Sequence, residues 1–366
     1  METLIAESPI VERLRRLQGH LSFAISPLHT VEAEPITRRR DVKVWRVKLT
    51  DPAGVSSSVF AKELCVDDPT DFHSECANYL FLQKYRDRFD RFAELLAMES
   101  DVFVIADLGS AFYQFESNER VLEAIADTFA RMHVYLAPFE REYDEIRAAQ
   151  GLPSQREENR RNSEAGRRET AQRGVTMLAD YVSLMGIAPT EPFTRQAEEC
   201  FDIIFDPASP FRTFIHDDVA DRRQTIVRDG RVYLLDFEHA KFHHALMDLA
   251  KLMIGKVEHH SELQGMFYNH PNIPSELIGK YRERWASLGA RELSTDEWDR
   301  NVVAAFVTQV MLVIGRIVEI GGFRFAATHS SIIRDLLARL RLQTSPYESS
   351  GEIRATLQML EGRILG

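Results

Sequence analysis

HDDVADRRQTIVRDGRVYLLDFE, residues 216–238, holds two short β-like runs, QTIV and RVYLLDFE, around the pair Asp229-Gly230. An Asp-Gly pair between apolar runs is a strong signal for a tight hairpin. With RTFIH just upstream, the stretch predicts a small β insertion. Its acidic and amide side chains, Asp217, Asp218, Gln224, Asp236 and Glu238, fall at the ends of those runs. A rigid hairpin there aims several oxygen-bearing groups at one point.

Outward from this insertion the pattern is helical on both sides. ERVLEAIADTFARMHVYL (119–136) repeats apolar residues three and four apart, the spacing of an amphipathic helix. Downstream, ALMDLAKL (245–252), SELIGKYRERW (275–285), DEWDRNVVAAFVTQVMLVIGRIVEI (296–320) and HSSIIRDLLARLRLQ (329–343) continue it. Gln309, Arg316 and Glu319 interrupt the most apolar of these at spacings that suit a buried core helix better than a membrane span. QREENRRNSEAGRRETAQRG (155–174) is a dense run of mixed charge, expected to be a solvated helix or loop without chemistry of its own.

Nearer the N-terminus the runs are rich in β-branched and aromatic residues. DVKVWRVKLT (41–50) and SSVFAKELCV (57–66) flank the turn-forming DPAGVS and predict a hairpin. PTDFHSECANYLFLQKYRDRF (69–89) predicts a helix, and SDVFVIADLGS (100–110) a buried strand ending in a glycine turn. The expectation is an α+β chain of two lobes: a small β-rich lobe over residues 1–107 and a larger, mainly helical lobe over 108–366, with a site in the cleft between them. A length of 366 residues fits, since single cores stop growing near ~250–300 residues.

Composition narrows the function classes. The formal net charge is -11, from 45 Lys and Arg against 56 Asp and Glu, which disfavours a general nucleic-acid binder. The opening METLIAESPIVERLRRLQGHL has acids and arginines before any apolar run and does not resemble a signal peptide. Cys65, Cys76 and Cys200 are scattered, so neither a disulfide framework nor a thiolate zinc site is indicated, and a cytoplasmic setting is expected.

Phosphoryl transfer needs cations on the phosphates, oxygen ligands for Mg²⁺ and a carboxylate at the acceptor hydroxyl. The chain offers these in order: a strand lysine (Lys62), a helix glutamate (Glu75), VFVIADLG, then HDD and DFE. This order resembles the aminoglycoside phosphotransferase and choline kinase-like family, which has a protein-kinase-like fold, over roughly residues 42–255. The resemblance implies an enzyme that moves the γ-phosphoryl group of ATP or GTP onto a hydroxyl of a small molecule. By it, His216 is the loop histidine, Asp218 the catalytic base with Asp217 beside it, and Asp236 the main Mg²⁺ ligand. Lys62 and Glu75 are the phosphate-binding pair, Ala106, Asp107 and Leu108 the hinge that meets the base through main-chain groups, and Asp248 a brace for the catalytic loop.

Three departures stand out. Gln224 replaces the family's metal-binding Asn, after a stretch one residue longer than usual, with Arg222 and Arg223 beside it. Glutamine keeps an amide oxygen but adds a methylene, and Mg²⁺ is strict about geometry. No glycine-rich phosphate loop precedes Lys62; Arg38, Arg39 and Arg40 occupy that turn. These departures support a second hypothesis, a pseudokinase-like nucleotide-binding or regulatory module. A kinase for proteins or peptides is a third. The net charge leans towards a cationic acceptor; oligomeric state is not legible.

Overall fold

The computed structural model describes residues 9–17, 30–38, 42–50, 53–65, 70–109, 118–155, 163–184, 191–219, 224–260, 265–269, 273–328 and 330–347. Arg39, Arg40, Arg222 and Arg223 lie outside them, as does the side chain of Arg38. The N-terminal part is an antiparallel sheet in the order β1-β2-β3-β5-β4: β1 (Thr30–Arg38), β2 (Val42–Thr50), β3 (Ser56–Leu64), β4 (Leu95–Met98) and β5 (Val102–Ala106). α1 (Pro9–Leu17) and α2 (Thr70–Lys84) accompany it.

Side chains alternate between the faces of a strand, and this sheet uses both. Val47, Leu49, Val59, Ala61, Val102 and Val104 bury one face with Ile10, Val11 and Leu14 of α1. Phe103 and Ile105, on the other face of β5, join the main core with Phe72, Cys76 and Tyr79 of α2. Lys62 pairs in register with Phe103, so the lysine follows the α2 face. An apolar alternation thus directs a charged side chain into the middle of the molecule.

The C-terminal part is mainly helical: α3 (Glu119–Leu136), α4 (Glu140–Ala149), α5 (Glu164–Leu184), α6 (Glu191–Ile204), α7 (Leu246–Ile254), α8 (Glu276–Ser287), α9 (Thr295–Thr328) and α10 (Ser330–Thr344). Among the described residues three two-stranded units interrupt it. β7 (Thr225–Arg228) and β8 (Arg231–Leu234) form the expected hairpin, β6 (Arg212–Ile215) pairs with β9 (Lys241–His244), and β10 (Lys256–His260) pairs with β11 (Gly265–Asn269). The hairpin turn has Asp229 at φ 52° and Gly230 at φ 71°, both left-handed, as a twist-matched two-residue turn requires. Leu234 N–H donates to Arg91 O at 2.9 Å, tying this hairpin to the segment after α2.

The stretch Thr295–Glu319 of α9 is long and apolar enough to cross a membrane by composition, yet 78% of its most apolar window is buried in the protein. It packs on α5, α6 and α7. Fully burying a Val, Ile or Met contributes about 1.5–3 kcal/mol, so α9 organises this core. Its polar interruptions are used: Gln309 Nε2 donates to Gly255 O at 2.8 Å, and Glu319 Oε1 accepts from Thr170 Oγ1 at 2.7 Å and Arg173 Nη1 at 2.8 Å.

The α5–α9 crossing is set by two glycines. A methyl group at Gly174 would run into the Met311 carbonyl, and one at Gly315 into the Thr170 carbonyl. Gly315→Ala is expected to part the helices, at roughly 1–3 kcal/mol or more, lowering the melting temperature by several degrees. Gly279→Ala, on α8 where a methyl meets open space, should be neutral or slightly stabilising, and the two melting curves measured side by side check the assignment.

Candidate active site

The site gathers where β3, α2 and the segment after β8 meet. Lys62 Nζ lies 2.5 Å from Glu75 Oε1 and 2.5 Å from Asp236 Oδ1. Burial disfavours the ammonium, but Asp236 and Glu75 outweigh it and hold Lys62 protonated, well above the ordinary lysine value. Burial pushes Glu75 up to about 8, with Asp236 and Glu238 adding to the rise and Lys62 opposing it. Several carboxylates thus crowd round one ammonium.

α2 also pins the residue after Asp236. Asn78, one turn after Glu75, donates from Nδ2 to Phe237 O at 2.5 Å and accepts from Tyr143 Oη at 2.6 Å. Tyr79 meets the Phe237 ring edge-on at 5.6 Å. Residues three and four apart share a helix face, so one face of α2 supplies the ion pair, the backbone clamp and the packing. Asn78 was not anticipated; it stands in the same helical stripe as Glu75, which is the signal that could have found it.

The loop that carries Asp217 and Asp218 is braced from beneath. Asp248 accepts from His216 N–H at 2.8 Å and from Asp217 N–H at 2.7 Å. His133 Nε2 lies 3.2 Å from Asp248 and its Nδ1 2.8 Å from Tyr281 Oη, so α3 and α8 are linked to the loop through a fully buried chain. The bracing role expected of Asp248 matches this geometry; His133 and Tyr281 are additions. His216 is wholly buried. Its Nε2 donates to Leu235 O at 2.7 Å, Nδ1 accepts from Asp218 N–H at 3.3 Å, and its ring lies 4.6 Å from Phe237. All of its contacts support backbone and packing.

Adjacent Asp217 and Asp218 part company. Asp217, at φ 59°, meets Arg167 at 3.0 Å, Lys241 at 2.9 Å and Lys251 at 3.1 Å. Burial would raise its carboxyl, but these cations hold it well below the usual carboxylate range. Asp218 accepts from Gln224 Nε2 at 2.5 Å, and the same Nε2 lies 3.4 Å from Asp236 Oδ2. Gln224 therefore bridges the two acids, with its Oε1 buried and without a partner. Asp236 is also left-handed, at φ 62°. Non-glycine residues held there cluster at functional sites.

The oxygens of Glu75, Asp236 and Glu238 lie within 4.8 Å of one another, and groups of Asp218, Glu238 and His239 do the same. Hard oxygen donors in this arrangement suit Mg²⁺. The unpartnered Gln224 Oε1 fits as well: turning the amide over sets an oxygen against Asp218 and Asp236, which a divalent cation between them would favour.

At the end of β5, Ala106 N–H is taken by Glu94 O at 2.9 Å. The Asp107 carboxylate accepts from Arg46 Nε at 3.0 Å, Arg46 Nη2 at 2.8 Å, Ser58 Oγ at 2.5 Å and Gly109 N–H at 2.7 Å. The Asp107 side chain is thus spent on shaping the turn into Leu108. Burial would raise this carboxyl, but Ser58, the Gly109 N–H and Arg46 together lower it.

No protein-family model and no curated protein matches the chain. Among solved structures it is similar to a choline kinase from Cryptosporidium parvum, with TM-score 0.52, 12% identity, and 90% of this chain and 94% of that one covered. It is also similar to an ethanolamine kinase from Plasmodium vivax, with TM-score 0.51, 14% identity, and 86% and 81% covered. At such identities the likeness is one of fold, and the fold is the two-lobed, protein-kinase-like one.

A carboxyl with a depressed folded-state pKa stabilises above the ordinary carboxylate value and loses that contribution as pH falls through the depressed one. The melting-temperature difference between native protein and Asp107→Asn should therefore be largest near pH 7 and shrink below about pH 4. A difference that is constant with pH would contradict this reading of the turn.

Proposed function

We propose that the protein is a small-molecule kinase that transfers the γ-phosphoryl group of ATP, or GTP, to an acceptor hydroxyl. The carrying observation is that Lys62, Glu75, Gln224, Asp218 and Asp236, drawn from both halves of the molecule, form one continuous chain of contacts. The likeness in fold to a choline kinase and an ethanolamine kinase supports the reaction class.

In this reading residues 1–107 form the nucleotide lobe and 108–366 the acceptor lobe. Ala106, Asp107 and Leu108 face the base; with the Ala106 N–H and the Asp107 carboxylate already engaged, the main chain at 107 and 108 is what meets it. Lys62 holds phosphate oxygens, and Glu75 keeps its ammonium in place. Asp236 and Gln224, with Glu238 beside them, would hold Mg²⁺, which would neutralise phosphate charge. Asp218 orients the acceptor hydroxyl and takes its proton. Asp217 and His216 act on the loop: one anchors it to three cations, the other to Leu235 and Phe237. Most of the rate then comes from positioning and preorganised charge. The unpaired Cys65, Cys76 and Cys200 suit a reducing, cytoplasmic setting.

A coupled assay of ADP formation from Mg-ATP across a panel of polyols, amino alcohols and amino sugars tests the proposal. Asp218→Asn should cut turnover by about 10²–10⁴, the usual worth of a general base, while leaving nucleotide affinity within a few-fold. Nucleotide binding without acceptor-dependent turnover in the native protein would favour the non-catalytic module, which the present Nε2-inward orientation of Gln224 would suit.

A further inference from the structure

Asp236 presents its carboxylate from a left-handed backbone, φ 62°, a conformation that is costly for a non-glycine residue and persists only where the surrounding structure enforces it. Its flanks are held on both sides. Upstream, Leu235 N–H donates to Gln224 O at 2.8 Å, and Leu235 O accepts from His216 Nε2 at 2.7 Å. Downstream, Phe237 O takes two donors, Ala240 N–H at 3.1 Å and Asn78 Nδ2 at 2.5 Å. Three of these contacts join residues within 216–240; the one from Asn78 reaches in from α2.

The Asn78 amide has one usable orientation. A carbonyl needs a donor, so Nδ2 faces Phe237, and Oδ1 accepts from Tyr143 Oη of α4 at 2.6 Å. Tyr143 Oη also lies 3.2 Å from Ala240 O, so α4 reaches both α2 and the far end of the turn. Asn78, Tyr143 and Phe237 are fully buried, where water cannot replace a lost partner. α2 therefore holds Asp236 in two ways. Glu75 acts through Lys62 on the carboxylate, which fixes a distance and leaves the carboxylate free to turn. Asn78 acts on the backbone from which that carboxylate grows, which fixes its direction.

We propose that Asn78, oriented by Tyr143, is a positioning residue for the cation ligand Asp236. Both polar atoms of its side chain are engaged by Phe237 and Tyr143, so it offers the cation no ligand atom and works only through the chain it pins. The role rests on the Mg²⁺ site proposed above. It makes the affinity of that site depend on a buried amide one turn beyond Glu75 and on a tyrosine hydroxyl from the helical half of the molecule.

The test is electron paramagnetic resonance of Mn²⁺ at saturating ADP, at a temperature below the onset of every melting curve. Asn78→Leu keeps the size of the side chain and removes both hydrogen bonds; it should weaken Mn²⁺ binding by about 10–100-fold, the usual effect of losing a residue that orients a metal ligand. Tyr143→Phe should weaken it by roughly three- to tenfold, the net effect of one hydrogen bond. Tyr143→Phe also keeps the ring against Phe81, Phe214 and Phe242, so the test stays readable if Asn78→Leu does not fold. Variants that melt earlier than the native protein yet hold Mn²⁺ as tightly would reduce the pair to core packing and overturn the role. Native protein that binds no Mn²⁺ with ADP would remove the cation site and this role with it, an outcome distinct from unchanged binding in the variants.

Discussion

The Lys62 ammonium lies 2.5 Å from both Glu75 and Asp236, residues 13 and 174 positions away in the chain. Each of the three comes from a different element, and each is costly to bury alone. A charge taken out of water must be paired and hydrogen-bonded, so these groups constrain one another: β3 aims the lysine, α2 brings the glutamate, and the turn after β8 adopts a left-handed residue to deliver the aspartate. Asn78 and Tyr79, on the face of α2 that carries Glu75, fix Phe237 next to it. Moving any one element leaves a buried charge uncompensated, which gives the site its rigidity.

A second layer holds the loop that carries Asp217 and Asp218. Asp248 accepts from two consecutive backbone N–H groups and is tied through His133 to Tyr281. Asp217 is clamped by three cations from three elements. The close α5–α9 crossing at Gly174 and Gly315 in turn sets where α5 presents Arg167. Helix packing thus bears on the electrostatics of this loop, and the two adjacent aspartates face different partners, three cations for Asp217 and Gln224 for Asp218.

Much of this was legible in the sequence where the signal is local. Runs rich in β-branched and aromatic residues placed β2, β3 and β5, the Asp-Gly pair placed the β7–β8 turn, and the order Lys62, Glu75, HDD, DFE located residues that do come together. What escaped depends on partners distant in the chain. Arg167 sits in a mixed-charge run that looks like a solvated helix, and only the packing of α5 on α9 turns one of its arginines inward. Asn78, His133 and Tyr281 are ordinary helix residues until their neighbours are known. KVEHH of β10 is as polar as a loop, so its strand pairing had no local signature. Gln224 Nε2 faces the Asp218 and Asp236 carboxylates, a pairing across the hairpin that no local pattern announces.

The orientation of Gln224 makes the cation the most direct thing to measure. Asp236 and Gln224 are held to surround a place for a divalent ion that arrives with the nucleotide. Electron paramagnetic resonance of Mn²⁺, titrated with ADP onto native protein and onto Asp236→Ala, reports on it without any assay of turnover. The prediction is an immobilised Mn²⁺ signal that requires both ADP and Asp236. A signal that is absent in the native protein, or unchanged in Asp236→Ala, would contradict this role for the two residues.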